Sequence, residues 1–431
     1  MKAGGGGREL TYYSPMDSPT TGPYAALQVP DFRRYIVGLF AFTMAVQIQG
    51  TIVGWQIYEL THDKLALGLI GLAEALPFIG FALYAGHVAD RHDRRRIAMV
   101  ALAVLAGCSL ALLLLPLLLP HAPRRVTTLI YAVIATSGVA RSFLQPARQA
   151  LGQELVPRSL FHNAVTWRSG SWQLASVLGP AIGGVMYAIG GTTLAYASVA
   201  ALITTGLLAI ASVRHRSVID LAHTNAVTES LGSGIRFVFS KPLLVGALSL
   251  DLFSVFFGGA TALLPVFAAE ILHVGPEGLG LLRAAPAIGA VVTSVLIVHR
   301  PPFARAGRTL FLAVIGFGLF TIGFGLSTSF WLSVAMLALA GASDMVSVSI
   351  RSNLLQTITP THLFGRVSAV NSVFVGSSNE IGMFESGVTA RLFGTVPSVV
   401  LGGLATLVVV AVISVKNRPL RELRRIHDLA E

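Results

Sequence analysis

The chain has 431 residues, 54% hydrophobic and only 12% charged, and its 31 Lys and Arg against 20 Asp and Glu leave a net charge of +11. A mean hydropathy of +0.72 excludes a soluble globular domain, because apolar runs of about twenty residues recur from end to end and each is long enough to cross a bilayer as a helix. The single cysteine, Cys108, excludes an internal disulfide and lies in an apolar run, where packing or lipid contact is its expected state.

Residues 1–31, with GGGG and SPMDSPTTGP, are polar and rich in Gly and Pro. They lack a basic start followed by a short apolar core, so they read as a flexible cytoplasmic tail and not as a cleavable signal. Twelve apolar runs follow, with approximate edges 35–60, 65–86, 97–119, 127–152, 164–189, 193–213, 242–272, 278–298, 309–327, 330–355, 366–392 and 396–415. Unpaired backbone is prohibitive in lipid, so the expected fold is an all-α membrane bundle of twelve helices. With the N-terminus inside, the outward loops hold only Lys64, Arg124 and Arg125, and all other loop Lys and Arg fall inward. That bias places both termini in the cytoplasm. The basic residues are spread over short loops without interleaved aromatics, which excludes nucleic-acid binding.

The loop between spans two and three reads GHVADRHDRRRI at 86–97. A carboxylate at the membrane boundary can cap a helix N-terminus, and the arginines can pair with an acid such as Glu154 at the inner end of span four. Such a latch would close the cytoplasmic side; the plainer alternative is a basic topology anchor. Span four carries Arg141 and Arg148, one heptad apart on one helix face. Span five contains LGPAIGG at 178–184, where proline would bend the helix and the glycines would admit a close neighbour. The stretch 214–241 is a polar, basic linker. Beyond it, RQALGQELVPRSLF at 148–161 recurs as RSNLLQTITPTHLF at 351–364, an ungapped offset of 203 that also aligns Gly179 with Gly382, Gly184 with Gly387, and Gly191-Thr192 with Gly394-Thr395. The chain therefore reads as a tail 1–31, a six-helix half 32–213, the linker 214–241, a second half 242–415 and a basic cytoplasmic tail 416–431. The site is expected between the halves at mid-depth.

In the second half, span seven carries Asp251, span ten Asp344 and Arg351, and span eleven Glu380 and Glu385, whose spacing puts them on different helix faces. Glu74 in span two is a further cavity candidate. Charges at this depth each cost about 2.5–3.5 kcal/mol at a helix centre, so they should face partners or a wet cavity. Arg141 and Asp344 are equivalent in the repeat and opposite in sign, which suggests a pair that forms in one state and parts in another. The carboxylates either take up protons or bind substrate, or they are permanently paired with Arg141, Arg351 or Arg391 to fix packing. Glu59, Glu270 and Arg283 lie near the outer ends, where snorkelling explains them equally well. Gln47, Gln49 and Gln56 in span one can bond substrate or a neighbouring helix. His87, His92 and His362 are expected to be solvated at the inner interface. No Walker sequence, nucleophile–base constellation or metal-ligand cluster is present, so no catalytic residue, cofactor or metal is expected.

The loop resembles the signature of the major facilitator superfamily at Gly86, Asp90, Arg91, Arg94 and Arg95, with Asp93 where many members have glycine. LGPAIGG is similar to the antiporter motif at Gly179, Pro180, Gly183 and Gly184. DFRRY before span one, VGWQIYELT at its end and SNEIGMFESG in span eleven resemble the enterobactin-exporter-like branch, the transmembrane secretion effectors, over about residues 30–415. The resemblance implies a proton-driven antiporter exporting a siderophore, drug or metabolite across the bacterial inner membrane and functional as a monomer. An uptake permease of the same fold is the alternative.

Overall fold

The computed structural model describes residues 22–215, 227–258, 260–299, 303–424 and 426. Most of the expected N-terminal tail, the centre of the linker, residues 300–302 and the last residues of the basic tail lie outside the described residues, as do the side chains of Asp90 and His362.

The described chain is helical throughout. Helices α1 (Pro30–Thr61), α2 (Lys64–Arg91), α3 (Arg94–Leu118), α4 (Pro123–Glu154) and α5 (Phe161–Ala211) form the first half. After the short α6 (Val227–Ser240) come α7 (Pro242–Gly258), a one-turn α8 (Leu264–Val266), α9 (Pro276–Val298), α10 (Ala306–Leu326), α11 (Phe330–Ile358), α12 (Thr361–Phe393), α13 (Thr395–Lys416) and the short α14 (Arg418–Glu422). Ten stretches meet the length and apolarity needed to cross a membrane. Two observations account for the difference from the expected twelve. Helix α5 is broken at Gly190–Gly191 into two arms, and α12 is long enough to span but too polar to meet the apolar criterion.

Local chemistry sets these boundaries. Asp63 accepts from the Leu65 amide at 3.0 Å and starts α2, and Asp93 accepts from the Arg95 amide at 2.9 Å and starts α3. The breaks at Gly191 (φ +60°) and Gly394 (φ +98°) use the left-handed region open to glycine. These two glycines are the pair aligned by the sequence repeat, so the same turn closes the last hairpin of each half.

Packing repeats as well. In the first half α2 and α3 pack on α4, and α1 and α3 on α5; in the second, α9 and α10 pack on α11, α7 on α12 and α13, and α10 on α13. Two broad contacts join the halves, α2 with α12 and α5 with α9. They are made by glycines. A Cβ on Gly387 would lie 2.7 Å from the Gly68 Cα, and one on Gly184 would lie 3.0 Å from the Gly280 Cα. Gly184 and Gly387 are again repeat equivalents. All four glycines sit in the helix halves remote from the termini, so the two bundles are pressed together on that face.

Candidate functional site

A cavity of about 270 Å³ lies between the bundles, lined by α1, α2, α3, α4 and α5 of the first and by α9, α12 and the segment before α8 of the second. Its charged lining is Glu74, Arg141, Arg283 and Glu380, two acids and two bases. Close helix crossings deliver them. A Cβ on Gly138 of α4 would sit 2.6 Å from the Glu74 carbonyl oxygen, so α2 and α4 touch one turn from Arg141. A Cβ on Gly71 of α2 would sit 2.5 Å from the Glu380 carbonyl oxygen, which brings α12 to the same level. Gly50 of α1 leaves room for the Arg283 guanidinium.

Arg141 forms an ion pair with Glu74. Glu380 lies within electrostatic reach of both Arg141 and Arg283. The site is thus a balanced four-charge cluster in which each carboxylate has a guanidinium, and binding a proton or an ionic ligand at one member must redistribute the rest. Gln47 and Gln49 add polar groups to the lining. Gln56 instead accepts from the buried Tyr196 hydroxyl at 2.6 Å and serves helix packing.

Several sequence expectations change here. In this conformation Arg141 pairs with Glu74 and not with Asp344, which leaves the state-dependent pair expected between them unformed here. Asp344 lies on α11, 3.9 Å from Arg351, and Arg351 forms a buried ion pair with Asp251 of α7. Of the two α12 acids Glu380 lines the cavity; Glu385 does not, and it has no ion-pair partner among the described residues. Arg283, set aside as an outer-end residue, is part of the cluster; its tell-tale was the cost of a charge inside a span, the same signal that singled out Arg141.

The remote face carries its own polar contacts. Asp63 and Arg391 approach to 3.8 Å between the halves, Tyr58 donates to Glu270 across α1 and the segment after α8, and Tyr187 donates to Glu59 at 2.5 Å. Behind these, Gly179 and Gly183 of the span-five motif seat α5 on Gln47 and Ile48 of α1, while Gly184 seats it on α9. Pro180 lines the cavity, and helical torsions continue through it; the one break in α5 is at Gly190–Gly191.

On the termini face the 90–96 cluster holds the first half together. Arg94 pairs with Glu154 at the end of α4, and Arg95 donates to the Ile210 and Ala211 carbonyls at the end of α5. The cap on α3 comes from Asp93; the side chain of Asp90 lies outside the described residues. These contacts join α3, α4 and α5 of one bundle rather than the two halves. Arg91 is exposed, and a Cβ on Gly86 would meet nothing within 4 Å.

The profile of the transmembrane secretion effectors matches residues 21–428. The chain belongs to that family. This secretion effector is 27% identical over 397 residues to the enterobactin exporter EntS of Citrobacter koseri, covering 92% of this chain and 94% of the relative. It is 27% identical over 399 residues to EntS of Shigella flexneri, with the same coverage of 92% and 94%. In fold it resembles a POT family transporter solved with 5-aminolevulinic acid, at a TM-score of 0.69 and 12% identity over 90% of this chain and 96% of that one. The nucleoside transporter NupG gives a TM-score of 0.69 at 11% identity, over 89% and 99%. The secretion effector is a multi-pass membrane transporter of the major facilitator type, not an enzyme.

Proposed function

We propose that this protein exports a small molecule from the cytoplasm across the bacterial inner membrane in exchange for protons, by alternating access and as a monomer. The observation that carries the reading is the cavity between the halves with its balanced cluster Glu74, Arg141, Arg283 and Glu380. A charge cluster without net charge is the arrangement in which protonation of one acid frees a guanidinium for an incoming ligand. The basic residues on the termini face put that face in the cytoplasm. The glycine crossings and the Asp63–Arg391 contact then belong to the periplasmic side, and the conformation is the inward-facing one. The two halves with boundaries 32–213 and 242–415 are the moving bodies, and Arg94 and Arg95 brace the first; Gly86, Asp90 and Arg91 complete the signature that the loop carries. The relatives at 27% identity are enterobactin exporters, so a siderophore is the first substrate to test, ahead of drugs and other metabolites.

Glu380 is the carboxylate proposed to exchange protons, since it lines the cavity and is half-buried there, so a proton must take the place of Arg141 and Arg283 when a ligand or a movement draws them away; Asp344, beside Arg351, is the second. Substrate-induced proton release from purified protein, followed with a pH dye in weak buffer, tests this. Wild type should release protons and Glu380→Gln should not. Equal release from both moves the coupling group to Asp344, and Asp344→Asn decides it. Efflux from a strain deleted for its own exporters, together with uptake into inverted vesicles, tests direction; accumulation in intact cells would reverse it and favour an uptake permease.

A further inference from the structure

A second charged cleft opens on the face that carries the termini. Leu39 of α1, Arg148 of α4, and Val165, Arg168, Trp172 and Gln173 of α5 line about 360 Å³ of it. The α5 residues follow helical spacing and present one face. Arg148 lies about 9 Å along α4 from its end at Glu154, and Arg168 about 10 Å along α5 from its start at Phe161, at 1.5 Å per residue.

Neither guanidinium has an acid partner among the described residues. Arg148 lies 5.5 Å from the centroid of the Phe42 ring and within reach of the like charges of Arg168 and Arg141. The contrast with the other half is informative. Arg351, the repeat equivalent of Arg148, is neutralised by Asp251 of α7. Helix α1, the counterpart of α7, has no acid between Asp31 and Glu59. The first half has thus kept the arginine without its carboxylate, added a second arginine beside it, and turned both toward a cleft. Cations at this depth are costly unless an anion meets them. Two further groups face the same space. The indole of Trp172 is 53% exposed, and the amide oxygen of Gln173 is buried with no hydrogen-bond partner.

We propose that this cleft binds an aromatic carboxylate, with the carboxylate held between Arg148 and Arg168 and the ring against Trp172, and that molecules of this class are substrates loaded from the cytoplasm. Arginine matches a carboxylate with paired donors, and an indole face gives a planar ring area at low entropic cost. The word substrate rests on the export reading; the site itself does not.

Binding of radiolabelled salicylate to the purified full chain in lipid nanodiscs, read by scintillation proximity, is the test. Wild type should bind saturably. Unlabelled salicylate should compete, whereas neutral salicylamide and inorganic phosphate should not. Arg148→Gln and Arg168→Gln should each weaken binding at least tenfold, Arg168→Lys should recover part of the loss, and Trp172→Ala should weaken binding where Trp172→Phe retains it. No binding by wild type, unchanged affinity in Arg168→Gln, or competition by salicylamide equal to that of salicylate overturns the assignment. If the arginine variants do not purify as single species, the Trp172 pair decides, and full affinity in Trp172→Ala then overturns it. Uptake of the same label into inverted vesicles is a separate readout. Binding without any transport keeps the site and removes the export reading.

Discussion

The Asp251–Arg351 pair shows what a charge inside a span requires. Both side chains are below 10% exposed, Arg351 at 9% and Asp251 at 7%. A buried pair is a weak source of net stability, yet removing one member leaves a charge with nothing to offset it, at a cost of about 3–5 kcal/mol. Asp251→Asn is therefore expected to lower the thermal midpoint and the monodisperse yield in detergent, and Asp251→Asn combined with Arg351→Gln is expected to recover most of both. Thermal unfolding monitored by size exclusion at matched expression checks this. A single variant as stable as wild type would mean that Asp344, at 3.9 Å, already carries the arginine. The same reasoning explains why the expected Arg141–Asp344 pair is absent. Arg141 lines the cavity, whereas Asp344 does not and lies beside Arg351 of its own helix. A carboxylate on the adjacent helix of the same bundle, Glu74, is nearer and takes the guanidinium.

At the scale of the helix, glycine placement decides which faces close. The crossing of α2 with α12 runs through Gly68 and Gly387, and that of α5 with α9 through Gly184 and Gly280. A Cβ on Gly387 already meets backbone at 2.7 Å, so Gly387→Val has no flexible neighbour to displace. It should insert normally yet lose transport, because the crossing on the face remote from the termini cannot form. Gly86→Ala, with open space around its Cβ, should transport like wild type. In the same loop Asp90→Asn should cut transport at matched expression, whereas Arg96→Ala, whose side chain is 74% exposed, should matter much less; vesicle uptake normalised to protein compares the four. Equal activity of Asp90→Asn and wild type would leave the cluster as a brace and topology anchor alone. These elements also mark how far the sequence was legible. The 203-residue register located the two helix-breaking glycines and the two interhelical ones, because backbone requirements leave the same residue in both repeats. The mates across each crossing were not legible. Periodicity gives the face of a helix but not its neighbour, so Arg283 counted as an outer-end residue until α9 was packed against α5 and α11 with its guanidinium beside Gly50 of α1. In the arginine loop the expected pairing with Glu154 was legible and is made by Arg94, whereas the contacts of Arg95 with the end of α5 were not, because a backbone carbonyl partner leaves no mark in the sequence.

For the whole molecule, the described contacts between the halves concentrate on one face. The glycine crossings and the Asp63–Arg391 approach of 3.8 Å lie remote from the termini. The Arg148–Arg168 cleft lies on the other side. A rigid closed block would need tight contacts on both faces, whereas two bodies that rock about a central site need them on one face at a time. The exposed Asp63–Arg391 pair, with side chains 44% and 59% accessible, adds little energy by itself and serves as a reporter of closure. Asp63→Cys with Arg391→Cys, in a Cys108→Ser background, should accept a short bifunctional thiol cross-linker in the inward-facing state. Cross-linking should arrest transport, and reduction should restore it. Substrate added from the cytoplasmic side should slow the reaction, since it draws the protein toward the state in which this face opens. Full transport with the cross-link in place would show that the two helices stay together through the cycle, and the moving boundary would then be sought at the crossing of α5 with α9.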